Sequence, residues 1–317
     1  MRKKIYIFFL IILISITSIS CSSENISDIN NTENENIGSQ HTVRYTPQKG
    51  TSTNDTNKNI KLSAKTNSGP ISVLPWEDDL NFQEALSKYN TPVLMGGFRT
   101  ILLDPLPGEE YNVHLAAKSL SGKVIKPGEI FSQNQSIGPY TEPNGYKEGP
   151  TYIGGKVTTT VGGGVCKIAS TLYNVAILSN LEIVERHNHG MPVPYVPYGQ
   201  DATVAYGAKD IRFRNNTDSP ILIWSMGIDN ILYIAFYGNE KPPEIRWNHE
   251  TLYISEAPKT YNINPDLPKG TEKIVSEGMD GGAVESWITI IKEDGTEEKK
   301  HLGKSIYKPM PHIFEKN

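Results

Sequence analysis

Three consecutive glycines, Gly162-Gly163-Gly164, stand directly before Val165-Cys166, and apolar side chains follow at Ile168, Ala169, Leu172, Val175 and Ala176. That spacing predicts a helix to Leu178 with one buried face. Glycine permits positive φ and lets backbone come close to a ligand. The stretch therefore commits the chain to a tight turn feeding a core helix, with a cysteine in the first helical turn. The first-turn N–H groups lack intrahelical partners, and the positive end of the helix dipole lies there. Both favour a thiolate or an oxyanion at that position. A buried cysteine acting as a small hydrophobe fits the same stretch.

Around this segment the apolar pattern predicts an α+β fold with a mainly antiparallel sheet. Glu77 to Lys88 reads as a short helix with Leu80, Ala85 and Leu86 inward. Val93 to Leu103 reads as a strand interrupted at Gly96-Gly97, and Asn112 to Leu120 as a helix. Leu181 to Glu185, Ala202 to Ala205, Ile211 to Phe213, Ile221 to Trp224 and Ile231 to Tyr237 read as strands. After Pro242-Pro243 the chain alternates over Leu252 to Ile263, Glu272 to Val275, Glu285 to Lys292 and Glu297 to Leu302. These place a small all-β module at 245–317.

The first 75 residues build no core. Met1-Arg2-Lys3-Lys4 is basic, and Ile5 to Ile19 is an apolar run of about 15 residues, short of the ~20 that span a bilayer. It ends in Ser18-Ile19-Ser20-Cys21, which resembles a bacterial lipobox. Residues 1–21 are thus expected to be a signal peptide, with Cys21 lipidated. Residues 22–75 are rich in Asn, Thr, Ser, Asp and Lys and are expected to be a disordered linker. The globular part then faces the outside of the membrane. A net charge of −4 argues against nucleic-acid binding. Two cysteines exclude a disulfide framework and four-cysteine metal sites. With Cys21 lipidated, Cys166 has no partner in its own chain.

A thiol nucleophile needs a base. Of seven histidines, two lie in Glu185-Arg186-His187-Asn188-His189-Gly190, between a predicted strand and a proline-rich loop. Such a pair can serve catalysis or stand exposed on a loop. A metal site ranks below both, because no carboxylate or cysteine lies at ligand spacing, so no metal and no cofactor is expected. Asp201, where a loop gives way to alternating residues, could orient a histidine, bind a substrate amine or cap a turn.

Taken together, these residues resemble the VanW family. The resemblance runs through Lys126-Pro127-Gly128-Glu129-Ile130-Phe131-Ser132, Gly145-Tyr146, Gly162 to Asn174, Glu185 to His189, Tyr195-Val196-Pro197, Gly199 to Val204 and Phe213 to Thr217. Lys167 and Ile168 stand where that family more often has Gln and Val. The tail resembles a G5 domain through Glu277-Gly278, Gly281-Gly282, the strand after Glu285, Asp294-Gly295 and Tyr307-Lys308-Pro309. This implies a VanW-like catalytic domain at 76–244 and a G5-like β module at 245–317.

The resemblance implies a peptidoglycan L,D-transpeptidase that joins the third residues of two stems. Cys166 would be the nucleophile, His189 rather than His187 the base, and Asp201 the group orienting it. Gly163, Gly164, Ser170, Arg186 and His187 are the expected substrate-binding residues, and Arg186 equally fits an ion pair. The implied partners are peptidoglycan stem peptides and, through the lipid anchor, the membrane. A different reading keeps the same groove without turnover: a lipoprotein that only binds the cell wall.

Overall fold

The structure is a computed structural model that describes Leu62 and residues 66–317 except 104, 154 and 155. The expected signal peptide, Cys21 and most of the linker lie outside the described residues.

The N-terminal part runs β1 (Gly69–Pro70), α1 (Leu80–Tyr89), β2 (Val93–Ile101), α2 (Glu109–Leu120), β3 (Val124–Ile125), β4 (Ile130–Ser132) and α3 (Gln133–Ile137). It continues β5 (Glu148–Ile153), β6 (Lys156–Val161), α4 (Cys166–Leu178), β7 (Glu182–Glu185), β8 (Arg212–Arg214), β9 (Ile221–Ile228) and β10 (Ile231–Gly238). The C-terminal part is all strand: β11 (Glu244–Ser255), β12 (Lys259–Ile263), β13 (Glu272–Ser276), β14 (Gly281–Ile291), β15 (Glu297–Tyr307) and β16 (His312–Lys316).

The central sheet has the order β1-β2-β10-β9-β3, with every neighbouring pair antiparallel. Its strands alternate between two cores, as the period of two in a strand requires. Ile221, Ile223, Leu232, Ile234 and Phe236 face the core that also holds Val113, Ala117, Ile168 and Leu172. Leu222, Ala235 and Tyr237 face the opposite side, where Trp76 and Phe82 pack. Helices α2 and α4 therefore cover one face and α1 the other.

Several details differ from the sequence reading. Ordered structure begins before residue 76, because Gly69 and Pro70 pair with Arg99 and Phe98, and Leu62 and Leu74 are buried. In α1, Leu80 is 77% exposed and Phe82 is the inward anchor. Asp79 caps this helix by accepting from the Asn81 and Phe82 amides, so it begins at Leu80 and not at Glu77, while Ala85 and Leu86 pack inward beside Phe82 as expected. Strand β2 continues through Gly96-Gly97, with a bulge beside Gly96 where the consecutive residues Phe236 and Tyr237 face Gly96 and Leu94. A side chain at Gly96 would meet the Ser179 hydroxyl at 2.9 Å, and one at Gly97 the Ile71 carbonyl at 2.6 Å. The glycines admit neighbours rather than break the strand.

The C-terminal part forms two small sheets, β11-β14-β15 and β12-β16-β13. It is not a separate bead. Trp247, Ile288 and Ile290 belong to the same core as Ile168 and Leu172, and Trp247 meets the Tyr173 ring edge-on at 5.4 Å.

Candidate active site

Helix α4 begins at Cys166, directly after the Gly162–Gly164 turn. Glycine is required there for reasons internal to the fold. A Cβ at Gly163 would lie 2.1 Å from the Gly149 carbonyl oxygen, and one at Gly164, whose φ is +102°, would lie 2.9 Å from Glu109 Cγ. Both residues let β5 and α2 approach the loop. The turn also consumes amides that an oxyanion was expected to use. Lys167 N–H donates to the Gly164 carbonyl at 2.9 Å and Ile168 N–H to the Val165 carbonyl at 3.1 Å.

Further along α4, side chains fasten the segment that carries the carboxylate. Ser170 Oγ donates to the Ala202 carbonyl at 3.0 Å and accepts the Ala202 N–H at 2.9 Å. Asn174 Nδ2 donates to the Gln200 carbonyl at 2.8 Å. Ser170 is fully buried, so it is a strut between α4 and this segment and not a substrate ligand. Residues 202–204 form no ladder; Thr203 N–H donates to the His187 carbonyl at 2.8 Å instead.

This bracing brings Cys166, His189 and Asp201 together. The His189 ring and the Cys166 thiol are near enough for each to shift the other's pKa. Its Nδ1 lies 2.7 Å from Asp201 Oδ2, and that same oxygen accepts the His189 backbone N–H at 2.7 Å. Asp201 is 1% exposed. With Nδ1–H donated to the carboxylate, Nε2 is the nitrogen left to face sulfur. Thr203 Oγ1 stands 3.4 Å from Cys166 Sγ, and the Val204 carbonyl 3.6 Å from it. The thiol is half-buried. Tyr195 sets its ring edge-on to His189.

The electrostatics favour a charge-separated pair. Burial pushes the Cys166 thiol up, but the hydrogen bond and charge of His189, with Thr203, outweigh it and bring the pKa down to about 7. Burial pulls the His189 imidazolium down, and its hydrogen bonds to Asp201 and Cys166 lift it to about 9. Burial also opposes the Asp201 carboxylate, yet His189 and then Arg186 hold it below the usual carboxylate range. Between about pH 7 and 9 the favoured state is thiolate beside imidazolium.

Arg186 takes the ion-pair reading, with Asp201 as its partner, and His187 pairs with Glu185. Arg186 donates through Nε to the Asp201 carbonyl at 2.8 Å, through Nη2 to Asp201 Oδ1 at 3.1 Å, and through Nη1 to Ser305 Oγ at 2.8 Å. Its guanidinium also lies over the Tyr173 ring. It is an internal clamp and is not presented to a stem carboxylate. His187 Nε2 meets Glu185 Oε1 at 3.1 Å, in a cluster that also takes Arg212. Residues two apart share a side only in a regular strand. Beyond β7 the chain is irregular, which is why the two histidines part.

The sequence reading gave no role to Thr203, Tyr195 or Tyr307. All three sit in short pieces already singled out, so position alone flagged them. Nothing local ties Tyr307 to Asp201, which lies 106 residues away. Among the described residues no three His, Cys, Asp or Glu side chains gather as metal ligands, and no helix is long and apolar enough to cross a membrane.

A cysteine, a histidine and a buried aspartate side by side can hold a thiolate next to an imidazolium. The family of VanW like proteins matches residues 108–237, and the G5 domain matches residues 249–316. The chain thus carries a VanW-like domain followed by a C-terminal G5 domain. Two curated relatives share the VanW-like part. The uncharacterized protein YoaR of Bacillus subtilis (strain 168) is 38% identical over 157 residues, covering 50% of this chain and 52% of that one. The vancomycin B-type resistance protein VanW of Enterococcus faecalis (strain ATCC 700802 / V583) is 34% identical over 159 residues, covering 48% and 58%. The chain spans little more than half the length of either relative. Among solved structures, the IgA1 protease G5 domain aligns at 28% identity and a TM-score of 0.16, covering 25% of this chain and 96% of that one. The crystal structure of HP0197-G5 aligns at 17% identity and a TM-score of 0.14, covering 23% and 99%.

Proposed function

We propose that this chain is an extracytoplasmic peptidoglycan L,D-transpeptidase with Cys166 as its nucleophile. The observation that carries this reading is the Cys166–His189–Asp201 line, with its 2.7 Å contact between His189 Nδ1 and Asp201 Oδ2. The pairing of a VanW-like domain with a G5 domain supports a cell-wall-associated protein outside the membrane. A tether through lipidated Cys21 belongs to the same proposal.

The chemistry follows from the pair's ionic state. The Cys166 thiolate attacks the carbonyl carbon of the third stem residue, forming the C–S bond and a tetrahedral oxyanion. The Thr203 hydroxyl, beside the sulfur, is our choice of donor to that oxyanion. The intermediate collapses as the His189 imidazolium gives its proton to the departing D-Ala nitrogen, and the C–N bond breaks. A thioester and a neutral His189 remain. An acceptor amine then attacks the thioester. His189 Nε2 takes its proton, the thiolate leaves, and the original state is restored. Water in place of the amine gives L,D-carboxypeptidase activity. No external energy source is needed, because one amide bond is exchanged for another.

The test is to incubate the protein with a tetrapeptide stem and record its intact mass. An acyl adduct lost in Cys166→Ala supports the reading. Stem binding with neither adduct nor released D-Ala would favour the non-catalytic wall-binding protein.

A further inference from the structure

The Asp201 carboxylate is held from two directions. Oδ2 takes the ring and backbone of His189. Oδ1 takes Arg186 Nη2 at 3.1 Å and the Tyr307 phenol at 2.6 Å. Asp201 lies inside the VanW-like match, whereas Tyr307 ends β15, inside the G5 match.

The direction of the Tyr307 contact is fixed. Its oxygen accepts the Gly199 N–H at 2.8 Å, so its own hydrogen goes to the carboxylate. The phenol is buried and meets the Tyr198 ring edge-on at 5.2 Å. Neighbouring contacts keep it there. Ser305 accepts from Arg186, the Ile306 carbonyl accepts Asn188 Nδ2 at 2.9 Å, and Lys308 N–H donates to the Gly190 carbonyl at 2.9 Å. Gly199 is a glycine for this docking as well: at φ +86°, a Cβ would come within 2.4 Å of Ser286 Oγ. The end of β15 thus lies along the segment that presents Arg186, His189 and Asp201.

We infer that Tyr307 is a positioning residue that acts on His189 through Asp201, so that the G5 domain completes the candidate site. This rests on the reading of Cys166, His189 and Asp201 given above. The phenol draws charge from Oδ1 and so limits the charge that Oδ2 presents to the imidazole. The other ionisable groups around the carboxylate are Arg186 beside His189, Tyr173 on α4, Tyr195 on the loop and Cys166 across the imidazole. Arg186 Nη2 keeps its bond to Oδ1 when the phenol is lost, and none of the others adds a donor there.

The experiment measures Cys166 alkylation by iodoacetamide against pH in the full chain, as Tyr307→Phe and as Tyr198→Phe. The second variant removes another contact between the domains, the 2.6 Å bond from the Tyr198 hydroxyl to the Asp280 carbonyl, without touching the carboxylate. The native protein should show a lower inflection for the thiolate and an upper one for His189. In Tyr307→Phe the upper inflection should rise by ~1 unit, a tenfold tighter hold on the imidazolium proton. Tyr198→Phe should leave both inflections in place, even where its melting temperature falls as far. An upper inflection that stays or drops in Tyr307→Phe, or moves equally in both variants, overturns the inference and reduces Tyr307 to a packing role. A native protein without the upper inflection overturns the reading of the site itself, and the inference with it.

Discussion

His189 and His187 are the same residue type two positions apart, and their surroundings give them different chemistry. His189 bridges a thiol and a carboxylate that is 1% exposed; His187 pairs with Glu185, which is 30% exposed. His189→Ala should therefore lower acyl transfer by ~10²–10⁴, the usual share of general acid–base catalysis. His187→Ala should change it little. Steady-state turnover of a stem peptide, with folding matched by circular dichroism, distinguishes the two. The same residues set the pH profile. Activity needs thiolate and imidazolium together, so it should rise as Cys166 loses its proton near pH 7 and fall as His189 loses its own near pH 9. A profile that rises through pH 9 without falling would mean that imidazolium protonation of the leaving amine is not required. Thr203→Val keeps the shape and removes the hydroxyl 3.4 Å from sulfur. Turnover should drop by ~10², as for other single oxyanion donors, while Cys166 alkylation changes far less.

Helix α4 depends on the turn before it. Gly163→Ala would drive a methyl into the Gly149 carbonyl, a backbone group that cannot swing aside. The expected cost is about 1–3 kcal/mol in urea unfolding, with slower Cys166 alkylation because the helix start must shift. Unchanged stability would mean that β5 gives way freely. The α4 core face was legible in the sequence, since Ile168, Ala169, Leu172, Val175 and Ala176 recur at helical spacing and all are buried. Alternation was less reliable. Residues 202–205 alternate like a strand, yet Ser170 and the His187 carbonyl hold 202–203 without a ladder. Extended backbone satisfied by side chains has the same apolar pattern as extended backbone satisfied by a neighbouring strand. Cys166 and the histidine pair could be singled out because each lies in a short distinctive piece. Tyr307 lies in a distinctive piece too, but its role was not legible, because its contact with Asp201 joins residues 106 apart and rests on how two domains dock.

At the level of the whole molecule, the two domains share a core. Trp247 and Ile288 are 7% and 1% exposed, packed in one cluster with the buried face of α4. A chain ending at residue 243 would lose both, and the loss of one such tryptophan alone costs ~3–5 kcal/mol. The truncated chain should lose the cooperative near-ultraviolet transition that the longer chain shows in urea. Equal midpoints for the two would mean that the VanW-like domain is stable alone.

The Tyr307 contact also bears on how far such proteins can be assembled from interchangeable parts. A G5 domain grafted from another protein could carry the same fold and the same affinity for its own ligand. Unless it set a hydroxyl at the end of its β15 equivalent and left room for the Gly199 loop, the graft would deliver a well-folded chimera with a mistuned histidine. The junction between the domains is therefore part of the inherited chemistry, and portability ends where the strand reaches the carboxylate.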